Sequence, residues 1–148
     1  MFELRWAILG KTCNFPLIRG SVLKRIMKQV SELDEEDFDP TIAATGLPVL
    51  ADFYAPWCGP CKMLSPLLEA LAAKFEGRIH FLKINVDEAP ELAGRFEITV
   101  VPTLLFIMNG EVRDSIVGLA SPRSLISRLE SMVTAGRAKY VEENSCSR

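Results

Sequence analysis

Leu47-Pro48-Val49-Leu50-Ala51-Asp52-Phe53-Tyr54 runs straight into Ala55-Pro56-Trp57-Cys58-Gly59-Pro60-Cys61-Lys62. Its first half is almost continuously apolar and of strand length, the pattern of a strand covered on both faces. From Pro60 the apolar positions are Met63, Leu64, Leu67, Leu68, Leu71, Ala72 and Phe75. That is the i, i+3/i+4 spacing of an amphipathic helix, and Gly77 stops it. Ile79-His80-Phe81-Leu82-Lys83-Ile84-Asn85-Val86 reads as a second strand. A long helix between two such strands is a βαβ unit, which predicts parallel strands with a right-handed crossover.

The pattern extends outward on both sides. Asp34-Glu35-Glu36-Asp37-Phe38 opens a short acidic helix that Gly46 ends, carboxylates being suited to the positive end of the helix dipole. A short strand is expected before it, near Val30. Downstream, Asp87 to Phe96 reads as a short helix capped by Asp87, with Pro90 in its first turn. Thr103 to Met108 is an apolar strand, and Asn109-Gly110 then predicts a tight hairpin, because both turn positions need positive φ. Glu111 to Val117 is the polar return strand at a sheet edge. Ser121 caps a last helix with Pro122 at its first position, and Leu125, Ile126, Leu129, Met132 and Val133 form its buried stripe.

Composition narrows the classes. The 148 residues are 49% hydrophobic and 24% charged, with nine Gly and nine Pro, as in one ordinary soluble α/β or α+β domain. A net charge of -2 gives no reason to expect a nucleic-acid partner. No stretch approaches about 18 consecutive apolar residues, so no membrane span is expected. Four Cys and one His make a disulfide-dense scaffold or a metal site a poor fit. The charge is uneven: residues 1–28 carry six Lys/Arg and one acid, a net +5, against -7 for the remainder. The expected organisation is therefore a basic extension over 1–26, a domain over 27–135 and a polar, frayed tail over 136–148. The extension reads as a leader, a packed appendage or sequence translated ahead of a start at Met27. Its longest apolar run, Trp6-Ala7-Ile8-Leu9, is too short for a secretory signal.

The chemistry sits in Trp57-Cys58-Gly59-Pro60-Cys61-Lys62. Four cysteines in 148 positions give a Cys-x-x-Cys by chance about one time in ten, so position carries the argument. This pair lies where the apolar strand ends and the amphipathic helix begins. Cys58 takes the helix N-terminal edge, where unpaired N–H groups and the dipole favour a thiolate. Pro60 falls in the first turn, where its missing N–H costs nothing. Cys61, one turn on, sits beneath Cys58 and can bridge to it.

Here the chain resembles the thioredoxin family. Ala51 to Lys62 matches the family's active-site signature, Val101-Pro102-Thr103 its cis-proline loop, and Asn109-Gly110-Glu111 with Val117-Gly118 its terminal hairpin. The resemblance covers about Met27 to Ala135. It implies an α/β thioredoxin fold, with a central mixed sheet flanked by helices on both faces. Two positions depart from the pattern: Glu97 stands where glycine is usual, and Tyr54 where tryptophan is frequent.

The resemblance also implies a mechanism. Cys58 attacks a substrate disulfide, and Cys61 resolves the mixed disulfide. Asp52, the only carboxylate within an apolar strand, is a candidate proton acceptor for Cys61, with Lys83 tuning it or serving as its structural partner. Trp57, Gly59, Pro60, Val101, cis-Pro102 and Gly118 are the expected docking surface for substrate. Lowering a thiol from about pKa 8.5 to about 7, the value on record for this family's attacking cysteine, raises the thiolate fraction at pH 7 some ~15-fold. The accompanying loss of nucleophilicity is about five-fold, so the net gain is only about three-fold. Most of the acceleration must come from positioning the substrate disulfide. Gly-Pro between the cysteines points to a reductant.

The expected partners are disulfide-containing substrate proteins and a separate flavin-dependent thioredoxin reductase. No bound cofactor or metal is implied, and a cytoplasmic monomer is expected, with organellar import through the basic segment as an alternative. A binding module using the same surface, or an imported or exported oxidoreductase with one dedicated target, are the competing functions. His80 reads as a core or edge histidine, and Cys13 and Cys146 as passive thiols.

Overall fold

A computed structural model describes residues 30–144, with side chains described from 30 to 136. The basic extension, the start expected at Met27, Cys13 and Cys146 lie outside the described residues. The chain order is β1 (Val30–Glu32), α1 (Glu35–Thr45), β2 (Val49–Tyr54), α2 (Gly59–Lys74), β3 (His80–Asn85), α3 (Pro90–Arg95), β4 (Thr103–Met108), β5 (Glu111–Val117) and α4 (Pro122–Asn144). The five strands form one mixed sheet in the order β1-β3-β2-β4-β5. β3 lies parallel to both β1 and β2, while β4 is antiparallel to β2 and β5. This is the α/β architecture expected of the βαβ unit and the hairpin.

Strand alternation sorts the core into two layers. Leu50, Phe81, Leu104 and Phe106 face one way and pack with Leu64, Leu68, Leu71 and Phe75 of α2 and its end, and with Leu125, Leu129 and Met132 of α4. Val49, Ala51, Phe53, Leu82, Ile84, Leu105 and Ile107 face the other way, against Phe38 of α1 and Ala89 and Leu92 at α3. Both faces of the central strands are thus covered, which explains their unbroken apolar runs. Each fully buried side chain of this size contributes roughly 1.5–3 kcal/mol. Asp52 and Lys83 share the parity of Leu50 and Phe81, so both belong to the face that carries α2.

Most local signals act as read. Asn109 and Gly110 have φ of 54° and 78°, the hairpin geometry predicted. The Ser124 N–H donates to Ser121 Oγ at 3.2 Å, so Ser121 is the cap of α4. Two readings need correction. The expected tail begins inside a helix, because α4 runs on to Asn144. Asp87 does not cap α3, whose first residue is Pro90 and whose N-cap is Ala89, with no side-chain bond of its own.

The missing cap is supplied from α1. The Leu92 N–H donates to Glu35 Oε1 at 2.5 Å. Arg95 closes the other end of α3 with a bidentate pair to Asp39, at 2.8 and 2.7 Å. Phe96 packs edge-on to Phe38 and Phe53. The acidic run of α1 therefore anchors α3 and the loop that follows it.

Glu97 explains its own oddity. Its φ is +54°, the left-handed region. The Glu97 N–H donates to the Gly94 carbonyl at 3.1 Å and the Ile98 N–H to the Ala93 carbonyl at 2.8 Å, the paired bonds of a Schellman helix end. Glycine suits this position because a Cβ is penalised there by roughly 1–2 kcal/mol. Glu97→Gly is expected to raise stability by about 1 kcal/mol after the added freedom of the unfolded chain is subtracted. Urea unfolding of the oxidised protein checks this, and a loss of stability would contradict it.

Candidate functional site

The C-terminal ends of parallel β2 and β3 open onto the loops where a ligand crevice forms in such sheets. Four loops converge there. The first is the turn from β2 into α2. Cys58 is the N-cap of α2 with extended backbone, and Pro60 stands in the helix's first turn. The Cys58 N–H is held by the Ala55 carbonyl at 3.1 Å. Cys58 and Cys61 are joined as a disulfide with their Cα atoms 5.3 Å apart, and the Cys61 N–H donates to Cys58 Sγ at 3.1 Å. The sulfur therefore takes the capping place that serine or aspartate usually fills. When the pair is reduced, the same N–H and the helix dipole favour the thiolate.

The second loop follows β3, where Asp87 accepts from Trp57 Nε1 at 3.1 Å. That bond is the actual use of Asp87, and it steadies a Trp57 that is 71% exposed. The third is Ile98 to Pro102. The Val101–Pro102 peptide is cis, and Val101 packs against the Ala55, Cys58 and Cys61 cluster. The fourth follows β5, where the Gly118 N–H donates to the Pro102 carbonyl at 2.7 Å. Trp57, Gly59 and Pro60 are exposed, Val101 and Gly118 are partly so, and Pro102 is buried. Val100 and Leu119 on the last two loops and Val117 at the end of β5, none of them singled out as surface residues in the sequence, are 51%, 56% and 62% exposed. Being apolar and next to Val101 and Gly118, they were the available signal.

Asp52 lies behind the pair on β2. It is 1% exposed, and neither of its carboxylate oxygens has a hydrogen-bond partner. Burial pushes its pKa up to about 6, and Lys83 beside it pulls in the opposite direction. The direct pairing with Lys83 considered from the sequence is not made. Lys83 Nζ donates to Ser65 Oγ at 3.1 Å and stands 4.5 Å from the Tyr54 ring centroid. His80 is buried at the opposite end of β3 with both ring nitrogens unbonded, and burial holds its pKa below the usual value. It takes no part in this site. Among the described residues no group of His, Cys, Asp and Glu is arranged to hold a metal ion.

A disulfide whose first sulfur caps a helix at the end of a sheet is the arrangement of a thiol–disulfide oxidoreductase. The comparisons with known proteins say which kind. The thioredoxin family profile matches residues 29–131. Over 120 residues the chain is 37% identical to a chloroplastic M-type thioredoxin of Pisum sativum, covering 79% of this chain and 70% of that one. It is 40% identical over 101 residues to a thioredoxin of Haemophilus influenzae, covering 68% of this chain and 94% of the relative. A chloroplastic M-type thioredoxin of Spinacia oleracea is 36% identical over 108 residues, of which the alignment spans 73% of this chain and 60% of the spinach protein. The chain belongs to the thioredoxin family.

The buried carboxyl has a consequence for stability. Between pH 3.8 and about 6 the folded chain keeps a proton that the unfolded chain has shed, so Asp52 lowers stability as pH rises through this window. Above about 6 the full cost stands, about 3 kcal/mol. Asp52→Ala is therefore expected to compare better with the parent at pH 8 than at pH 4, by roughly 2 kcal/mol. Any loss of packing is common to both conditions and cancels. Equal effects at the two pH values, read by denaturant unfolding, would show that Asp52 has an ordinary pKa.

Proposed function

We propose that this chain reduces disulfides in substrate proteins, with Cys58 as nucleophile, Cys61 as resolving thiol and Asp52 as proton acceptor. The single observation that carries the reading is the Cys58 sulfur at the N-cap of α2, 3.1 Å from the N–H of Cys61. In the reduced protein the Cys58 thiolate attacks one sulfur of the substrate disulfide. The substrate S–S bond breaks, the departing thiolate takes a proton from solvent, and a mixed disulfide remains. The Cys61 thiol then gives its proton to the Asp52 carboxylate and attacks Cys58 Sγ. The mixed disulfide breaks, the second substrate thiolate is protonated by solvent, and Asp52 releases its proton. The substrate has gained two electrons, and Cys58–Cys61 is the oxidised product.

The raised proton affinity of Asp52 supports its role, because an acceptor is most effective when its pKa lies near the working pH. Lys83, the neighbouring cation, tunes it. Trp57, Gly59, Pro60, Val101, Pro102 and Gly118 form the docking surface, with Val100, Val117 and Leu119 extending it. The backbone beside Pro102 offers strand-like pairing to an extended substrate segment. Electrons come from a thioredoxin reductase, and the protein works as a monomer. No helix of the described residues is long and apolar enough to cross a membrane. We place the protein in the cytoplasm. Import into an organelle is the second reading, favoured by the basic segment over 1–26 and by relatives whose names are chloroplastic. A fluorescent fusion of the full chain, made with and without that segment, decides between the two locations.

With NADPH and a thioredoxin reductase the protein is expected to drive insulin precipitation. Cys58→Ser should fall to the rate of the uncatalysed control. Cys61→Ser should instead accumulate a substrate adduct that dithiothreitol releases. Partner binding that survives in Cys58→Ser, together with a parent protein that reduces nothing, would establish the binding module instead.

A further inference from the structure

Lys83 stands in the middle of a row of three charged positions. The register sets it beside Asp52 of β2 on one side and Glu32 of β1 on the other. A lysine so placed has two carboxylates within reach, and the attraction is strongest for the one most removed from water. The ammonium goes elsewhere. It donates to Ser65 Oγ at 3.1 Å and lies 4.5 Å from the centroid of the Tyr54 ring. Ser65 Oγ in turn donates to the Cys61 carbonyl at 3.2 Å, the usual back-bond of a helical serine. The Tyr54 hydroxyl donates to Glu32 Oε1, so the ring is held from the sheet edge. Asp52 is left with both oxygens unpartnered.

We infer that Ser65 is a positioning residue: its hydroxyl, backed by the Tyr54 ring, holds the Lys83 ammonium off the Asp52 carboxylate and so sets how readily Asp52 takes a proton. The charges around Asp52 are few. Lys83 of β3 is the charge that acts on Asp52, while Glu32 of β1, on the far side of Lys83, and Glu88 after β3 act on Tyr54. β4 presents Leu104 in register, and α2 contributes Cys61 and Ser65, which carry no charge while the disulfide is formed. Lys83 is the one cation among them, so the position of its ammonium sets how far the effect of burial on the carboxyl is opposed. Ser65 binds that ammonium and the Cys61 carbonyl through one hydroxyl. It thus joins the resolving cysteine's helix turn to the cation that tunes the acceptor.

The functional meaning of this arrangement rests on the proton-transfer role proposed for Asp52, but its test does not. The Asp52 carboxyl is followed by carbon-13 NMR titration in the oxidised full chain. In Ser65→Ala the ammonium is released toward the carboxylate, and the Asp52 midpoint is expected to fall by roughly one pH unit. Ser65→Thr keeps the hydroxyl and should restore the parental midpoint. In a Lys83→Leu background the midpoint should rise, and adding Ser65→Ala should then change nothing. An unchanged midpoint in Ser65→Ala overturns the inference. So does a shift that persists when Lys83 is absent, because the effect would not run through the ammonium. The pH profile of insulin reduction is read on the same variants. A carboxyl that shifts while that profile stays fixed upholds the role of Ser65 and removes Asp52 from the proton path.

Discussion

A helix that starts at the end of a buried strand leaves backbone N–H groups with nothing to bond, and here a sulfur atom fills that vacancy. Everything at the site follows from where α2 begins. The strand β2 is fixed by neighbours on both sides and by packing on both faces, so its last residues have little freedom. Pro60 is preorganised for the first turn, and Cys58 is thereby left at the cap. The resulting bond from Cys61 N–H to Cys58 Sγ spans the same turn that the disulfide closes. With a sulfur at this place, a donor of the helix terminus is bonded within the protein and not to water.

The opposing wall of the site is held from a distance. Residues 98–102 follow a helix only six residues long, too short to be stable on its own. Glu35 caps that helix from α1, Asp39 grips Arg95, and Phe96 wedges between Phe38 and Phe53. The exposed Asp39–Arg95 pair adds little stability by itself. Its bidentate geometry instead fixes direction, so the chain leaves α3 aimed at the sulfur pair. The acidic run of α1 is thus a tether for the loop after α3 as well as a favourable helix start.

Behind the sulfurs the sheet keeps a carboxyl that it does not satisfy. Leaving a buried acid unpartnered is costly, and here a cation in the adjacent register position is turned away from it. Tyr54 and Ser65 do the turning. Tyr54, the departure from the usual tryptophan, gives both a ring for the ammonium and a hydroxyl that reaches Glu32 at the sheet edge. The two departures from the family pattern therefore act on different things. Tyr54 touches the charge balance of the site, and Glu97 touches the strain of a helix end.

Periodicity along the chain determined the strands, the long helix, the hairpin and the place of Cys58, because each depends on residues within a few positions of one another. The apolar runs of β2 and β3 have the pattern of covered strands, and Asn109-Gly110 is the signal of a tight turn between two of them. The tail was misread because polar residues beyond Gly136 look like loop, whereas a helix already anchored by Leu125, Leu129 and Met132 continues at small cost. Asp87 was misread as a cap because caps and loop acceptors are the same residue types, and only the proximity of Trp57 separates them. Glu35 over α3, Ser65 between Lys83 and Cys61, and the failure of Asp52 and Lys83 to pair were decided by the tertiary structure alone. Apart from the bond of Ser65 to Cys61, one helical turn away, those contacts join residues 18 to 57 positions apart or turn on which of two neighbours an ammonium reaches, and neither has any trace in local spacing.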